Sequence, residues 1–201
     1  MENIKDIIEE IELNKSELVV LAGRPATGKT SISLELAANV LVNDNKGVAI
    51  FNLEMSKEWC TKRLVCSDAF TDKDGLEINN LYICDKPGIS VKEIREKSFR
   101  LKEEKDLGLI VIDYFQLLES KTISDTKEKY KAISSSLKAL AKELDVCVLL
   151  IAQLSKIPKA NKPTLEDFIS SKYLIDNADS IFFLDKDSHN TLEILRRSNN
   201  E

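Results

Sequence analysis

Residues 18–41 read LVVLAGRPATGKTSISLELAANVL, and their order decides the fold. An unbroken apolar run comes first, then a glycine-bounded loop, then apolar residues at helical spacing. That sequence predicts a buried strand, a tight loop and a helix. The loop, GRPATGKT at residues 23–30, fits the pattern GxxxxGK[ST] in the strand–loop–helix setting the pattern requires. Gly23 and Gly28 permit a tight backbone path that turns successive N–H groups inward, and the helix start adds partial positive charge. Gly23, Arg24, Pro25, Ala26, Thr27, Gly28, Lys29, Thr30 and Ser31 are therefore the expected nucleotide-binding residues. Lys29 would place its cation on the β- and γ-phosphates of ATP, and the Thr30 hydroxyl would hold Mg²⁺.

Outward from this loop, short Val-, Ile- and Leu-rich runs recur at residues 18–22, 48–53, 81–84, 109–113, 146–152 and 181–184. Such runs suit strands covered on both faces. Amphipathic stretches at residues 28–41, 57–66, 91–105 and 126–144 alternate with them, which predicts an α/β fold around a mostly parallel sheet. A last strand is expected at 192–195, followed by the dibasic pair Arg196 and Arg197. The expected organisation is an N-terminal helix or arm over 1–13 and one ATPase domain over 14–201. Ile4, Ile7, Ile8 and Ile11 give the first helix an apolar stripe. Packing against the same domain and docking onto a neighbouring subunit both fit that stripe.

The chain has 201 residues, 43% hydrophobic, enough for one core and small for two domains. Its apolar runs fall far short of the roughly 20 residues a membrane helix needs, and the acidic start lacks the features of a secretory signal. A soluble, cytoplasmic protein is expected. Cys60, Cys66, Cys84 and Cys147 form no CxxC pair and no zinc-site spacing, so buried thiols are expected. A protein that wraps nucleic acid by charge alone carries a basic excess, whereas this chain has a net charge of −5. Any DNA contact must be local or shared among subunits. Lys156, Lys159 and Lys162 form one local basic patch, for which a solvated loop and a nucleic-acid contact are both open readings. His189, the sole histidine, lies in a polar turn with no second ligand nearby and receives no role.

In an open α/β sheet the ligand lies beyond the carboxyl ends of the strands. Polar residues that close apolar runs are the ones to inspect: Glu54 after VAIFNL, Asp113 after LGLIVI and Gln153 after VLLIA. An acid closing a buried run is costly unless it meets solvent or a metal, so Asp113 is the expected second Mg²⁺ residue, acting through water. Glu54 would orient and deprotonate the attacking water. Gln153 cannot act as a base, but its amide would donate to the γ-phosphate and report its loss.

LVVLAGRPATGKT, VAIFNLEMS, GLIVIDYFQLL, SLKALAKEL and VLLIAQLS, in this order, resemble the motor domain of DnaB-type replicative helicases over about residues 14–197. The resemblance implies a RecA-like P-loop fold, ATP and Mg²⁺ as ligands, and a ring of six around single-stranded DNA, working with other replication proteins. Lys29, Thr30, Glu54, Asp113 and Gln153 match the family's P-loop, base, metal and sensor positions.

The resemblance has departures. No collar domain is expected before the motor, and residues 67–81 are shorter than the family's helical segment. TDKDG at 71–75 superficially suggests a calcium loop, but Phe70 and Leu81 occupy its end positions and exclude one. Where the family places a lysine and, two residues on, an arginine that reach the neighbouring subunit's γ-phosphate, this chain has Arg196 and Ser198. Arg196 keeps a cation in the first slot, and Arg197 is the alternative for the second. The family's DNA-facing loop aligns with Ile169, Ser170, Ser171 and Lys172, which leaves Lys172 as its one cation.

Overall fold

The computed structural model describes residues 4–70, 79–119, 123, 125–154, 172–186 and 192–198. The apolar runs form one sheet from β1 (Leu18–Gly23), β2 (Gly47–Asn52), β3 (Leu81–Cys84), β4 (Leu107–Asp113), β5 (Cys147–Gln153), β6 (Ser180–Lys186) and β7 (Leu192–Ser198). Their order is β3-β2-β4-β5-β1-β6-β7. The first six run parallel, and β7 pairs antiparallel with β6 at the edge. Every residue of β1 and β2 is buried. This is why their sequences are apolar without alternation: helices cover both faces.

The helices are α1 (Ile4–Glu10), α2 (Lys29–Val42), α3 (Lys57–Val65), α4 (Val91–Lys105), α5 (Thr126–Leu144) and α6 (Lys172–Asn177). Successive strand residues point to opposite faces, so β1 divides its side chains between two layers. Leu18, Val20 and Ala22 join the core made with α4, α5 and α6. Val19 and Leu21 join the core made with α1, α2 and α3. On α5, Ile133, Leu137, Leu140, Ala141 and Leu144 are buried, the one-face spacing of an amphipathic helix. Fully burying each Leu or Ile contributes about 1.5–3 kcal/mol. α1 lies against this domain, with Ile7 and Ile11 buried in the α2 layer.

How each helix begins bears on function. Ser56 starts α3 by accepting from Trp59 N at 3.2 Å. A reciprocal capping box of Ser90 and Glu93 starts α4, and Asp125 starts α5 by accepting from Lys127 N and Glu128 N, each at 2.9 Å. No side chain caps α2, whose N-cap is Gly28. Its first N–H groups are left facing the end of the sheet, where an anion can take the place of a cap.

Two expectations need correction. β7 does not stop at residue 195: its ladder continues through Phe182↔Arg196, Ile181↔Arg197 and Ser180↔Ser198. Backbone pairing with β6 extends the strand through the polar residues that looked like its end. Cys60 and Cys147 are buried as expected, but Cys84 is half-buried and Cys66, just past the last turn of α3, is exposed. Burial pushes the Cys60 thiol up to about 11, aided by the nearby charges of Asp113 and Asp85. No described helix is long and apolar enough to cross a membrane.

Candidate nucleotide site

β1 delivers the loop, and the two glycines serve different needs. A Cβ on Gly23 would lie 2.5 Å from the Leu184 carbonyl oxygen of β6 and 2.9 Å from Thr27 Oγ1. Close approach of two strands forces glycine there. Gly28 has open space around it but a φ of +96°, a conformation that L residues adopt only at a cost. Ala26 also has positive φ, at 61°.

Three side chains frame the loop from within. Lys29 is 9% exposed, and its Nζ donates to the Arg24 carbonyl at 2.6 Å and to Thr27 Oγ1 at 3.4 Å. The Thr27 hydroxyl donates to the same carbonyl at 2.9 Å. The Arg24 side chain turns to the end of β6, where Nη1 meets Asp185 Oδ1 at 2.6 Å with both side chains 14% exposed. Arg24 therefore anchors the loop, while Pro25, Ala26, Gly28, Lys29, Thr30 and Ser31 line the cleft. Burial pushes the Lys29 ammonium down to about 8, with Asp113 and then Glu54 pulling the other way. A buried cation short of anions is suited to a polyphosphate.

The cleft measures about 450 Å³ and lies beyond the carboxyl ends of β1, β2, β4 and β5. Glu54, Asp113 and Gln153 line it together with Lys29 and Thr30. The sheet register explains the meeting, for Asn52 pairs with Asp113 and Gly23 with Gln153. Asp113 is 2% exposed, and its Oδ2 accepts from Thr30 Oγ1 at 2.6 Å and from Asn52 Nδ2 at 3.3 Å. Burial holds its carboxyl above the usual range, opposed by the Thr30 hydrogen bond and the Lys29 charge and reinforced by Glu54. Glu54 is exposed on the cleft wall.

Oxygen donors suit Mg²⁺, which keeps most of its waters and commonly takes one carboxylate plus phosphate oxygens. Thr30 and Asp113 meet that description. No cluster of three or more metal-binding side chains exists among the described residues, so the pair fits a metal that arrives with phosphates.

The sequence reading missed three residues at the site. Asn52 links Asp113 to the Glu54 turn by accepting from Glu54 N and Met55 N at 3.1 and 2.7 Å. Gln116 holds Gln153 in place: its Nε2 donates to the Gln153 carbonyl at 2.7 Å, and its Oε1 accepts from Gln153 N at 3.3 Å. Asp185 anchors Arg24. The available signals were an amide closing the apolar run VAIFN, another in IDYFQL, and an acid after SIFFL.

Other expected residues are not brought to this cleft. Arg196 sits on β7 opposite Phe182, toward the end of β6 away from the loop, since Gly23 pairs with Leu184. Lys172 opens α6. Lys156, Lys159, Lys162, residues 169–171, TDKDG and His189 lie outside the described residues.

A phosphate chain laid along the uncapped start of α2 would meet backbone N–H groups, then Lys29, then the Thr30–Asp113 pair. This sheet order with this cleft defines a RecA-like P-loop nucleotide-binding domain. Residues 10–81 and 69–200 match the family described as DnaB-like helicase C terminal domain, and the chain belongs to that family. It is 35% identical over 200 residues to the replicative DNA helicase DnaB of Geobacillus stearothermophilus, covering 87% of this chain and 44% of that protein. The chain thus spans less than half the length of that relative. Among solved structures, an isolated ATPase domain superposes with a TM-score of 0.77 at 27% identity, covering 91% of this chain and 81% of that one. A DnaB-like replicative helicase solved in a study of its interactions with primase gives 0.75 at 25% identity, covering 91% and 55%.

Proposed function

We propose that the chain binds and hydrolyses MgATP as a motor on single-stranded DNA in replication. The observation that carries this reading is the Thr30 hydroxyl on the buried Asp113 carboxylate, at 2.6 Å, with Glu54 on the wall of the same cleft. In the proposed mechanism the α2 N–H groups and Lys29 hold the phosphates and offset their charge. Thr30, and Asp113 through water, would hold Mg²⁺, which would supply further charge neutralisation on the phosphate oxygens. Glu54 orients a water molecule and accepts its proton. Gln153, fixed through its backbone by Gln116, offers its amide to the γ-phosphate.

Arg196 is proposed to act on a neighbouring subunit, since it lies away from its own cleft. A ring of copies is the assembly that would deliver it, and single-stranded DNA the strand within it. Lys156, Lys159, Lys162 and Lys172 are the proposed DNA contacts, the cytoplasm the proposed location, and other replication proteins the proposed partners. Glu54→Gln should bind ATP with near-normal affinity and turn it over at least about 100-fold more slowly. Wild-type turnover in that variant would remove Glu54 from its role.

One observation favours a second reading. Ser198 stands where the family carries its second trans-acting cation. A nucleotide-switched module that engages other replication proteins would bind MgATP but hydrolyse it slowly, without response to DNA. Light scattering with MgATP separates the two readings, since the motor is expected as a hexamer and the module as a monomer or small oligomer.

A further inference from the structure

Asn52 closes β2 at 1% exposure, and its amide is engaged at both ends. Nδ2 donates to Asp113 Oδ2 at 3.3 Å, the same oxygen that receives the Thr30 hydroxyl at 2.6 Å. Oδ1 accepts from Glu54 N at 3.1 Å and Met55 N at 2.7 Å. A hydrogen-bonded path therefore runs from the phosphate loop through one carboxylate and one amide to the turn that carries the second carboxylate. Among the described residues, no hydrogen bond holds the Glu54 carboxylate itself. Its direction is set through its backbone, and Asn52 holds that backbone.

We infer that Asn52 is a positioning residue that ties the placement of Glu54 to the state of the Thr30–Asp113 pair. The inference rests on reading that pair as the site of MgATP. The residue type suits the role. A planar amide carries a donor and an acceptor in one rigid unit, so a shift at Asp113 is passed to the Glu54 turn. An aspartate would retain the acceptor and set a second carboxyl against Asp113 in place of the donor, and an alanine would lose both. Buried and partnered at each end, the amide is also expensive to leave half satisfied.

The chain contains its own reporter. Trp59 is the only tryptophan; it lies in the first turn of α3, next to the Glu54 turn, and is 38% exposed. Its emission would be recorded for the wild type, Asn52→Ala and Asn52→Asp with ATP in chelator, then after addition of Mg²⁺. Equilibrium dialysis would measure ATP binding independently, and circular dichroism would check the fold. Asn52→Asp keeps the acceptor for the Glu54 turn, so it guards against simple misfolding of the alanine variant.

The wild type should show an emission change on Mg²⁺ addition beyond that caused by ATP alone. Both variants should bind ATP within about threefold of the wild type yet lose at least about half of the Mg²⁺-dependent change. Full retention of that change in the variants, or its absence from the wild type, overturns the inference. Failure of the wild type to bind ATP in dialysis would instead sink the nucleotide reading beneath it, and dialysis does not depend on Trp59.

Discussion

Raising the pH should weaken nucleotide binding through Lys29. The free protein holds this ammonium at about 8, because burial removes it from water, whereas a bound polyphosphate favours the charged form and returns it toward or above 10.5. Binding must then draw a proton whenever free Lys29 is neutral. At pH 8 about half a proton should be taken up per ATP, rising to about nine-tenths at pH 9. Between pH 7 and 9 the dissociation constant should rise about tenfold, the ratio of the free ammonium populations. The phosphate's own second ionisation, near 6, is largely complete over this range. The unliganded protein has the opposite sign: with the folded pKa below the unfolded one, this group's contribution to stability rises with pH between about 8 and 10.5. Calorimetry in two buffers of different ionisation enthalpy reads the proton uptake directly. Lys29→Arg, charged throughout, should lose the pH dependence even if it binds more weakly. An affinity flat from pH 7 to 9, with heats independent of buffer, would refute the reasoning.

Asp113→Asn removes a buried charge whose protonation burial already favours. Its melting temperature should be unchanged or higher, while the gain in ATP affinity on adding Mg²⁺ falls about tenfold or more. Gly23→Ala sets a methyl against the Leu184 carbonyl and should cost about 1–3 kcal/mol, seen as a fall of about 2–4 °C in Tm per kcal/mol for a chain of this size. Gly28→Ala meets no atom within 4 Å, so its cost is confined to the left-handed backbone, about 1–2 kcal/mol. Gln116→Ala leaves the Gln153 peptide without its two hydrogen bonds to that side chain and should destabilise by about 1–3 kcal/mol by denaturant titration. ATP should still bind to that variant, because Gln116 does not line the cleft.

Much of this fold can be read from the sequence because burial on both faces leaves a local trace. LVVLA, VAIFN and LGLIVID are apolar without alternation, and each is a strand of the parallel sheet. The helices at 91–105 and 126–144 are legible from their amphipathic spacing, and in the structure Ser90 and Asp125 cap their starts. β7 was less legible, since Arg196, Arg197 and Ser198 pair through their backbone and nothing in their side chains announces it.

At the site, the residues that close strands were legible and those that hold them were not. Glu54, Asp113 and Gln153 follow apolar runs, and topology alone carries them to one cleft. Gln116 and Asp185 act through contacts 37 and 161 positions apart, and Asn52 reaches Asp113 across 61, which no local pattern encodes. Arg24 shows the same limit: membership in the phosphate loop suggested a ligand contact, but a partner on β6 turns its side chain into an anchor.

The most direct test of the account is steady-state ATP hydrolysis by the purified chain, with and without single-stranded DNA, at low and moderate salt, with Lys29→Ala in parallel. The account predicts Mg²⁺-dependent turnover that rises with DNA, loses part of that rise as salt increases, and is absent from Lys29→Ala. Turnover that ignores DNA, or that survives the loss of Lys29, would contradict it.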